Sequence, residues 1–257
     1  MKNKALILGC GWFGLPLGKE LVQLGFHVHG TITRDEKAHE LEKSNIQPHI
    51  YLLGQKMEAL AKEIGSNPEL IVIAIPPSKA DGYIEKLSIS LHQIQTYFPN
   101  TYIQSVSSTG YYPSFGEYAE DTAFTLPPAS PKVFEAEQLL AKQNHSLCVL
   151  RMGGLYNSDD RHPGHWFQGK TVISDGFVNM IHQMDAVNAC IYLFQKIKKG
   201  VYNVVPPLKL SKKDFYSMAF ENLQREIPDF EPCEKYKWVD GTKLYQEGFR
   251  FLKPGLL

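Results

Sequence analysis

Gly9-Cys10-Gly11-Trp12-Phe13-Gly14 is a G-x-G-x-x-G run set between an apolar stretch, Ala5-Leu6-Ile7-Leu8, and an amphipathic one that places Leu17, Leu21 and Leu24 on one face. In that setting each glycine has its own task. Gly9 permits a tight turn, Gly11 lets backbone N–H groups approach a pyrophosphate, and Gly14 lets a helix pack closely on its strand. The phosphates then sit at the positive N-terminus of the helix. The ligand this implies is a dinucleotide; the bland alternative is a glycine-rich turn that holds nothing. Trp12 and Phe13 fill the variable positions, where they shield the pyrophosphate or seal the helix against the rest of the chain.

The next strand ends Thr31-Ile32-Thr33-Arg34, with no carboxylate before Asp35. An acidic residue at this tip accepts from a ribose 2′-hydroxyl, whereas a basic one suits a 2′-phosphate. The expectation is NADP(H) over NAD(H), with Arg34 on the 2′-phosphate and Thr33 adding a hydroxyl. In the alternative, Arg34 only solvates the strand end and Asp35 caps the following helix. Ile75-Pro76-Pro77-Ser78 closes a later strand where the central phosphates and nicotinamide ribose pass in such folds, and its prolines withhold N–H donors.

The elements that must position these residues follow from apolar runs at Ala5–Leu8, Phe26–Thr33, His49–Leu53, Leu70–Ile75, Tyr102–Val106 and Leu147–Met152. Helical patterns lie between them at Glu58–Ile64, Ile84–Tyr97 and Phe134–Gln143. Strands that are apolar throughout and alternate with helices form a parallel sheet buried on both faces, and right-handed crossovers make it doubly wound. Residues 1–153 read as the cofactor-binding core of this α/β fold. Residues 154–257 read as a smaller substrate or lid lobe that returns some elements to the core. In it a helix runs from Asp185, as N-cap, to Lys198, a strand spans Val201–Val205, a helix follows Ser211, and Gly248–Pro254 alternates like a short edge strand.

The chain has 257 residues, 27 basic and 27 acidic, so its formal net charge is zero and it carries no electrostatic footprint for nucleic acid or an anionic membrane. No apolar run approaches the roughly 18 residues of a spanning helix. Cys10, Cys148, Cys190 and Cys233 are far apart and lack C-x-x-C spacing, which argues against disulfides and structural zinc. His162-Pro163-Gly164-His165 beside Asp159-Asp160 lacks a third ligand on a regular element, so no metal is expected. The composition fits a cytoplasmic protein whose partners are a dinucleotide and a small-molecule substrate.

Five segments in order resemble the extended short-chain dehydrogenase/reductase superfamily, with its Rossmann fold, over nearly the whole chain. They are the glycine motif, Ser105-Val106-Ser107-Ser108-Thr109-Gly110-Tyr111-Tyr112, Leu150–Tyr156 with Arg161-His162-Pro163, Ile181-His182-Gln183-Met184-Asp185-Ala186-Val187, and Val201-Tyr202-Asn203-Val204. The resemblance implies that Ser108 polarises a substrate oxygen and that Ser107 lies against the cofactor. It implies that Thr109, Gly153, Arg161 and His162 contact the substrate, although Arg161 can equally pair with Asp159 or Asp160 on the surface. In this superfamily a tyrosine is the acid/base and a lysine four residues on lowers its pKa, since a phenol of pKa about 10 needs a nearby cation to ionise near neutrality. Counted back from Glu137, those positions hold Ala129 and Val133; a slip of one gives Lys132 the lysine role, and no tyrosine occurs between Tyr118 and Tyr156. The resemblance is thus to the atypical, nucleoside-diphosphate-sugar-epimerase-like branch. Three readings stay open: an enzyme with a substitute acid/base (Tyr111, Tyr112, Tyr118, His162 or His165), a non-catalytic NADP(H) sensor or scaffold, and a reductase that works by positioning alone. Of the tyrosines, Tyr112 is the one taken as catalytic with Ser108. Crossover helices of such sheets often build homodimers, and the oligomeric state is left open.

Overall fold

The computed structural model describes residues 3–77, 81–143, 146–167 and 169–253; Ser78 and Pro254 lie outside them. A seven-stranded sheet is built from β1 (Lys4–Leu8), β2 (His27–Ile32), β3 (Ile46–Ile50), β4 (Leu70–Ile73), β5 (Tyr102–Ser108), β7 (Ser146–Met152) and β11 (Gly200–Val204). A short strand, β6 (Gly116–Tyr118), comes between β5 and β7, and β8 (Gly154–Tyr156), β9 (Val172–Ser174) and β10 (Met180–His182) between β7 and β11. The sheet order is β11-β7-β5-β4-β1-β2-β3, and β1 pairs in parallel with both β2 and β4. Chain order therefore reverses between β1 and β4, the switch point at which doubly wound folds bind ligands. β4, Leu-Ile-Val-Ile, is buried at all four positions, as a strand covered on both faces must be.

The helices of this part are α1 (Gly14–Gln23), α2 (Ala38–Lys43), α3 (Glu58–Ile64), α4 (Tyr83–Tyr97), α5 (Pro131–Ala141) and α6 (Gln183–Gln195), followed by α7 (Lys212–Asn222) and α8 (Thr242–Gln246). β12 (Asp229–Glu231) and β13 (Lys237–Val239) lie between the last two. The chain forms two compact units and passes between them several times. Unit 1 is Met1–Ser107, Lys132–Leu150 and Cys190–Gly200; unit 2 is Ser108–Pro131, Arg151–Ala189 and Val201–Leu257.

Several expectations shift for identifiable reasons. β3 lies at Ile46–Ile50, not His49–Leu53, because as the last strand of the sheet it tolerates Pro48, which has no N–H to give. α5 begins three residues early, with Pro131 at its first position, where the missing N–H costs nothing. On α1 the buried face is Gly14, Leu17, Gly18 and Leu21, while Leu24 is half exposed. Asp185 is not an N-cap. It lies inside the first turn of α6, buried, and its carboxylate accepts the N–H groups of Leu252 and Lys253 at 2.9 and 2.8 Å. That clamp, with an edge-to-face contact of Phe249 on Phe251, holds 249–253 as an irregular segment instead of an edge strand.

Under α3 lies a buried polar pair that the sequence does not announce. His49 Nδ1 is 2.8 Å from Glu63 Oε2, and His49 Nε2 is 2.9 Å from His29 Nδ1. With each ring protonated at Nδ1, an assignment made from the network, both contacts are satisfied, and His29 Nε2 is left buried without a partner among the described residues. Burial first, then the neighbouring His27, His49 and Lys4, pushes the His29 pKa down to about 4; burial also lowers that of His49. A base depressed in the fold binds its proton more readily unfolded, so this stabilisation is complete above about pH 6.5 and is lost as pH falls toward 4. Urea unfolding between pH 7.5 and 4.5 is expected to show a falling midpoint, and His29→Gln, which cannot take up the proton, to flatten that fall.

Candidate functional site

In unit 1 the glycine loop connects the end of β1 to α1. Gly9 has φ +93°, and its N–H donates to Thr31 Oγ1 at 2.9 Å while Cys10 N–H donates to the Thr31 carbonyl at 2.8 Å. One residue of β2 thus pins the loop twice. The glycines divide their work as physics requires. A Cβ on Gly9 would lie 2.7 Å from Ile75 Cγ1, and one on Gly14 would lie 2.5 Å from the Gly9 carbonyl oxygen; one on Gly11 would meet nothing within 4 Å. Two glycines therefore serve the packing, and the third leaves an open approach to the backbone at the start of a helix, which suits a pyrophosphate. Phe13 is a core residue and Trp12 is half-buried. Cys10 packs against Gly30, and burial pushes its thiol up to about 12, so it is chemically inert.

Thr33 and Arg34 are exposed where β2 ends, and Arg34 is in extended conformation before a 3₁₀ turn over Asp35–Lys37. Ile75 faces Gly9, and its carbonyl accepts the Tyr83 hydroxyl at 3.0 Å; Pro76 is exposed. The Ser107 hydroxyl donates to the buried carboxylate of Glu137 at 2.5 Å, and Lys132 is exposed in the first turn of α5.

In unit 2, Ser108 caps the turn Thr109–Tyr111: its Oγ accepts the Gly110 N–H at 3.0 Å. Ser130 N–H donates to the Gly110 carbonyl and Ala129 N–H to that of Tyr112, which ties the turn to the chain before α5. Thr109 is buried, and its carbonyl accepts the Lys237 ammonium at 3.1 Å.

Tyr112, the tyrosine singled out with Ser108, lies in the interior of unit 2. It is fully buried, and its hydroxyl contacts Asn203 Oδ1 at 2.8 Å and the Ala119 carbonyl at 3.0 Å while accepting from Arg151 at 2.7 Å. Arg151, itself buried, stacks 3.5 Å from the Tyr111 ring centroid. Burial outweighs Arg151 and pushes the Tyr112 phenol up to about 12. A phenol so enclosed anchors a buried cation. Tyr118 is likewise buried, stacked on Tyr112 with its hydroxyl on the Phe115 carbonyl. His162 is buried as the cap of the turn Pro163–His165, its Nδ1 accepting Gly164 N–H at 3.1 Å, and burial, then His165 and Arg225, lowers its pKa. Gly153 has a packing role, since a Cβ there would lie 2.6 Å from the Asn179 carbonyl oxygen. Arg161 is exposed, its backbone N–H held by Asn157 Oδ1, and Asp160 accepts from Asn157 Nδ2. Among the described residues no group of three or more His, Cys, Asp or Glu side chains is arranged to hold a metal ion, and no helix is long and apolar enough to cross a membrane. Lys237 and Asn179, both at this turn or beside it, carry no motif; their distance in sequence from Thr109 hides them.

No family model matches the chain. It is similar to protein YeeZ of Escherichia coli K12, 26% identical over 267 residues that cover 98% of this chain and 97% of the relative. Among solved structures, a Methylobacillus flagellatus protein provisionally described as an NAD-dependent epimerase/dehydratase is 25% identical with a TM-score of 0.79, covering 99% of this chain and 94% of that one. Bordetella bronchiseptica WbmG in complex with NAD (TM-score 0.79, 13% identical, 98% and 89% covered) shares the fold. So does dTDP-glucose 4,6-dehydratase of Bacillus anthracis with NAD (0.77, 16%, 98% and 94%). The chain thus has the Rossmann-type fold of these structures.

Tyr112→Phe is expected to leave Arg151 short of a buried acceptor and to lower unfolding free energy by about 1.5–3 kcal/mol, read by urea denaturation. A variant as stable as the parent would mean that the Tyr112 hydroxyl does not hold Arg151.

Proposed function

We propose that the chain binds NADP(H) at the glycine loop and acts as an epimerase- or reductase-like enzyme on a small polar, nucleotide-linked metabolite. The observation that carries this reading is the loop itself: Gly9 and Gly14 are required by packing, whereas Gly11 opens onto free space at the N-terminus of a ten-residue helix. Arg34 and Thr33, exposed at the tip of β2 with no acidic residue before them, support NADP(H) over NAD(H). Ile75 and Pro76 border the same loop, and Ser107 and Lys132 complete the proposed cofactor-binding set. When bound, the cofactor supplies the hydride chemistry; the chain's own residues orient it and handle the substrate oxygen. Ser108 is the residue proposed to meet that oxygen. With one lone pair engaged by Gly110 N–H, its hydroxyl is oriented to donate.

A second reading, a cofactor sensor without turnover, draws on the structural engagement of Tyr112, Tyr118 and His162. The two part on Ser108→Ala, which slows turnover of an enzyme and leaves a sensor's ligand response unchanged.

Calorimetric titration with NADP, NADPH, NAD and NADH is expected to show NADP(H) binding more tightly. Arg34→Ala should weaken NADP about ten- to a hundredfold and leave NAD unaffected, as loss of one charge-assisted contact would. Equal loss for both dinucleotides would remove Arg34 from the 2′-phosphate. Gly11→Val should keep the thermal midpoint yet abolish binding of all four; binding that survived would mean the ligand does not approach the loop.

A further inference from the structure

Lys237 opens β13, which runs parallel to β6 with Lys237 opposite Gly116. Asn179 clamps that strand on both sides of Trp238: its Nδ2 donates to the Lys237 carbonyl at 2.8 Å, and its Oδ1 accepts the Val239 N–H at 2.7 Å. Asn179 is in turn pressed against Gly153 and accepts Gly154 N–H at 2.7 Å. The backbone that carries Lys237 is therefore held from two directions. The lysine side chain is half-buried, and among the described residues the Thr109 carbonyl, at 3.1 Å, is the single hydrogen-bond acceptor for its ammonium. The carboxylates nearby in the chain are used elsewhere. Glu117 takes Lys209 at 2.6 Å and the Tyr236 hydroxyl at 3.0 Å, and Glu120 accepts Asn203 N–H at 2.7 Å. Burial lowers the Lys237 pKa from its ordinary value. A half-buried cation with one neutral acceptor is a poor way to stabilise a core, because the ammonium loses hydration that a lone carbonyl does not replace.

The acceptor shows what this cation acts on. The Thr109 carbonyl and the Gly110 N–H are the two ends of one peptide group, and that N–H is the one that donates to Ser108 Oγ. Positive charge on the carbonyl oxygen draws electron density through the amide resonance and makes the N–H a stronger donor. Stronger donation into one lone pair of Ser108 Oγ makes the serine hydroxyl a better proton donor in its turn.

We propose that Lys237 is a positioning residue for Ser108: acting through the Thr109–Gly110 peptide, its charge holds Ser108 Oγ as a hydrogen-bond donor toward a carbonyl or hydroxyl oxygen of the substrate. The proposal rests on Ser108 being the residue that meets that oxygen.

Thr109-Gly110 is the single Thr-Gly pair in the sequence, so the full chain labelled with carbonyl-¹³C threonine and ¹⁵N glycine gives one coupled carbon–nitrogen signal by NMR. In the wild type the Thr109 carbonyl carbon is expected to show a titration step below the ordinary lysine range, about pH 10.4. Lys237→Met should shift that signal and abolish the step, and Lys237→Arg, which keeps its charge, should restore the shift without a step. A wild-type carbonyl that does not titrate, or a folded Lys237→Met variant with an unmoved signal, would overturn the coupling. If Lys237→Met fails to fold, the wild-type titration decides alone. Unchanged turnover in Ser108→Ala would instead overturn the reading of Ser108 while the titration step persisted, so the two failures are told apart.

Discussion

The approach of Gly14 to the carbonyl oxygen of Gly9 is the constraint on which unit 1 depends. A helix can start directly over the end of β1 only if the backbone folds back within van der Waals contact of itself, and a side chain at either position would prevent it. Thr31 fixes the same loop from β2, so the turn, the first helix and the second strand share one small set of contacts. What this leaves exposed is equally specific. The loop closes around Gly9 and Gly14 and opens at Gly11, next to the N–H groups that the first turn of a helix leaves without intrahelical partners. Packing and ligand approach are thus two consequences of one geometry.

Unit 2 is organised around buried cations rather than around close backbone contact. Arg151 is enclosed by Tyr111 and Tyr112, whose ring and hydroxyl supply the electron density that water would otherwise provide. Asn203 and the Ala119 carbonyl complete the shell from the Tyr112 side. Such an arrangement gives the tyrosine a part in holding the buried cation. Lys237 presents the contrasting case, a cation with one acceptor among the described residues, bound to the peptide that steadies Ser108. The carboxylate of Asp185 plays the complementary part at the chain's end, where two backbone N–H groups terminate on it.

Much of unit 1 is legible in the amino-acid order because its signals are local. Continuous apolar runs mark β1, β4 and β5, glycine spacing marks the loop, and the apolar periodicity of Glu58–Ile64 marks α3 to the residue. The shifts occur where a local rule meets a tertiary exemption. Pro48 ends a strand by propensity, yet it sits in β3 because an edge strand does not need its N–H. Asp185 has the residue type of a cap, yet its carboxylate turns to the chain terminus, which supplies two donors.

The sequence by itself determined the doubly wound α/β architecture, the glycine loop and the basic tip of β2, since each depends on residues within about thirty positions of one another and on steric rules that hold in any context. Tertiary structure alone decided the burial and partners of the polar side chains. Burial and partner choice place Tyr112 on Arg151 and Asn203, and Ser108, whose oxygen accepts a turn amide, apart from it. These join residues tens of positions apart, and desolvation depends on everything that surrounds a group, which no local pattern records. Lys237 and Thr109, 128 positions apart, meet for the same reason: strand pairing and the Asn179 clamp bring them together, and neither leaves a trace in spacing or periodicity.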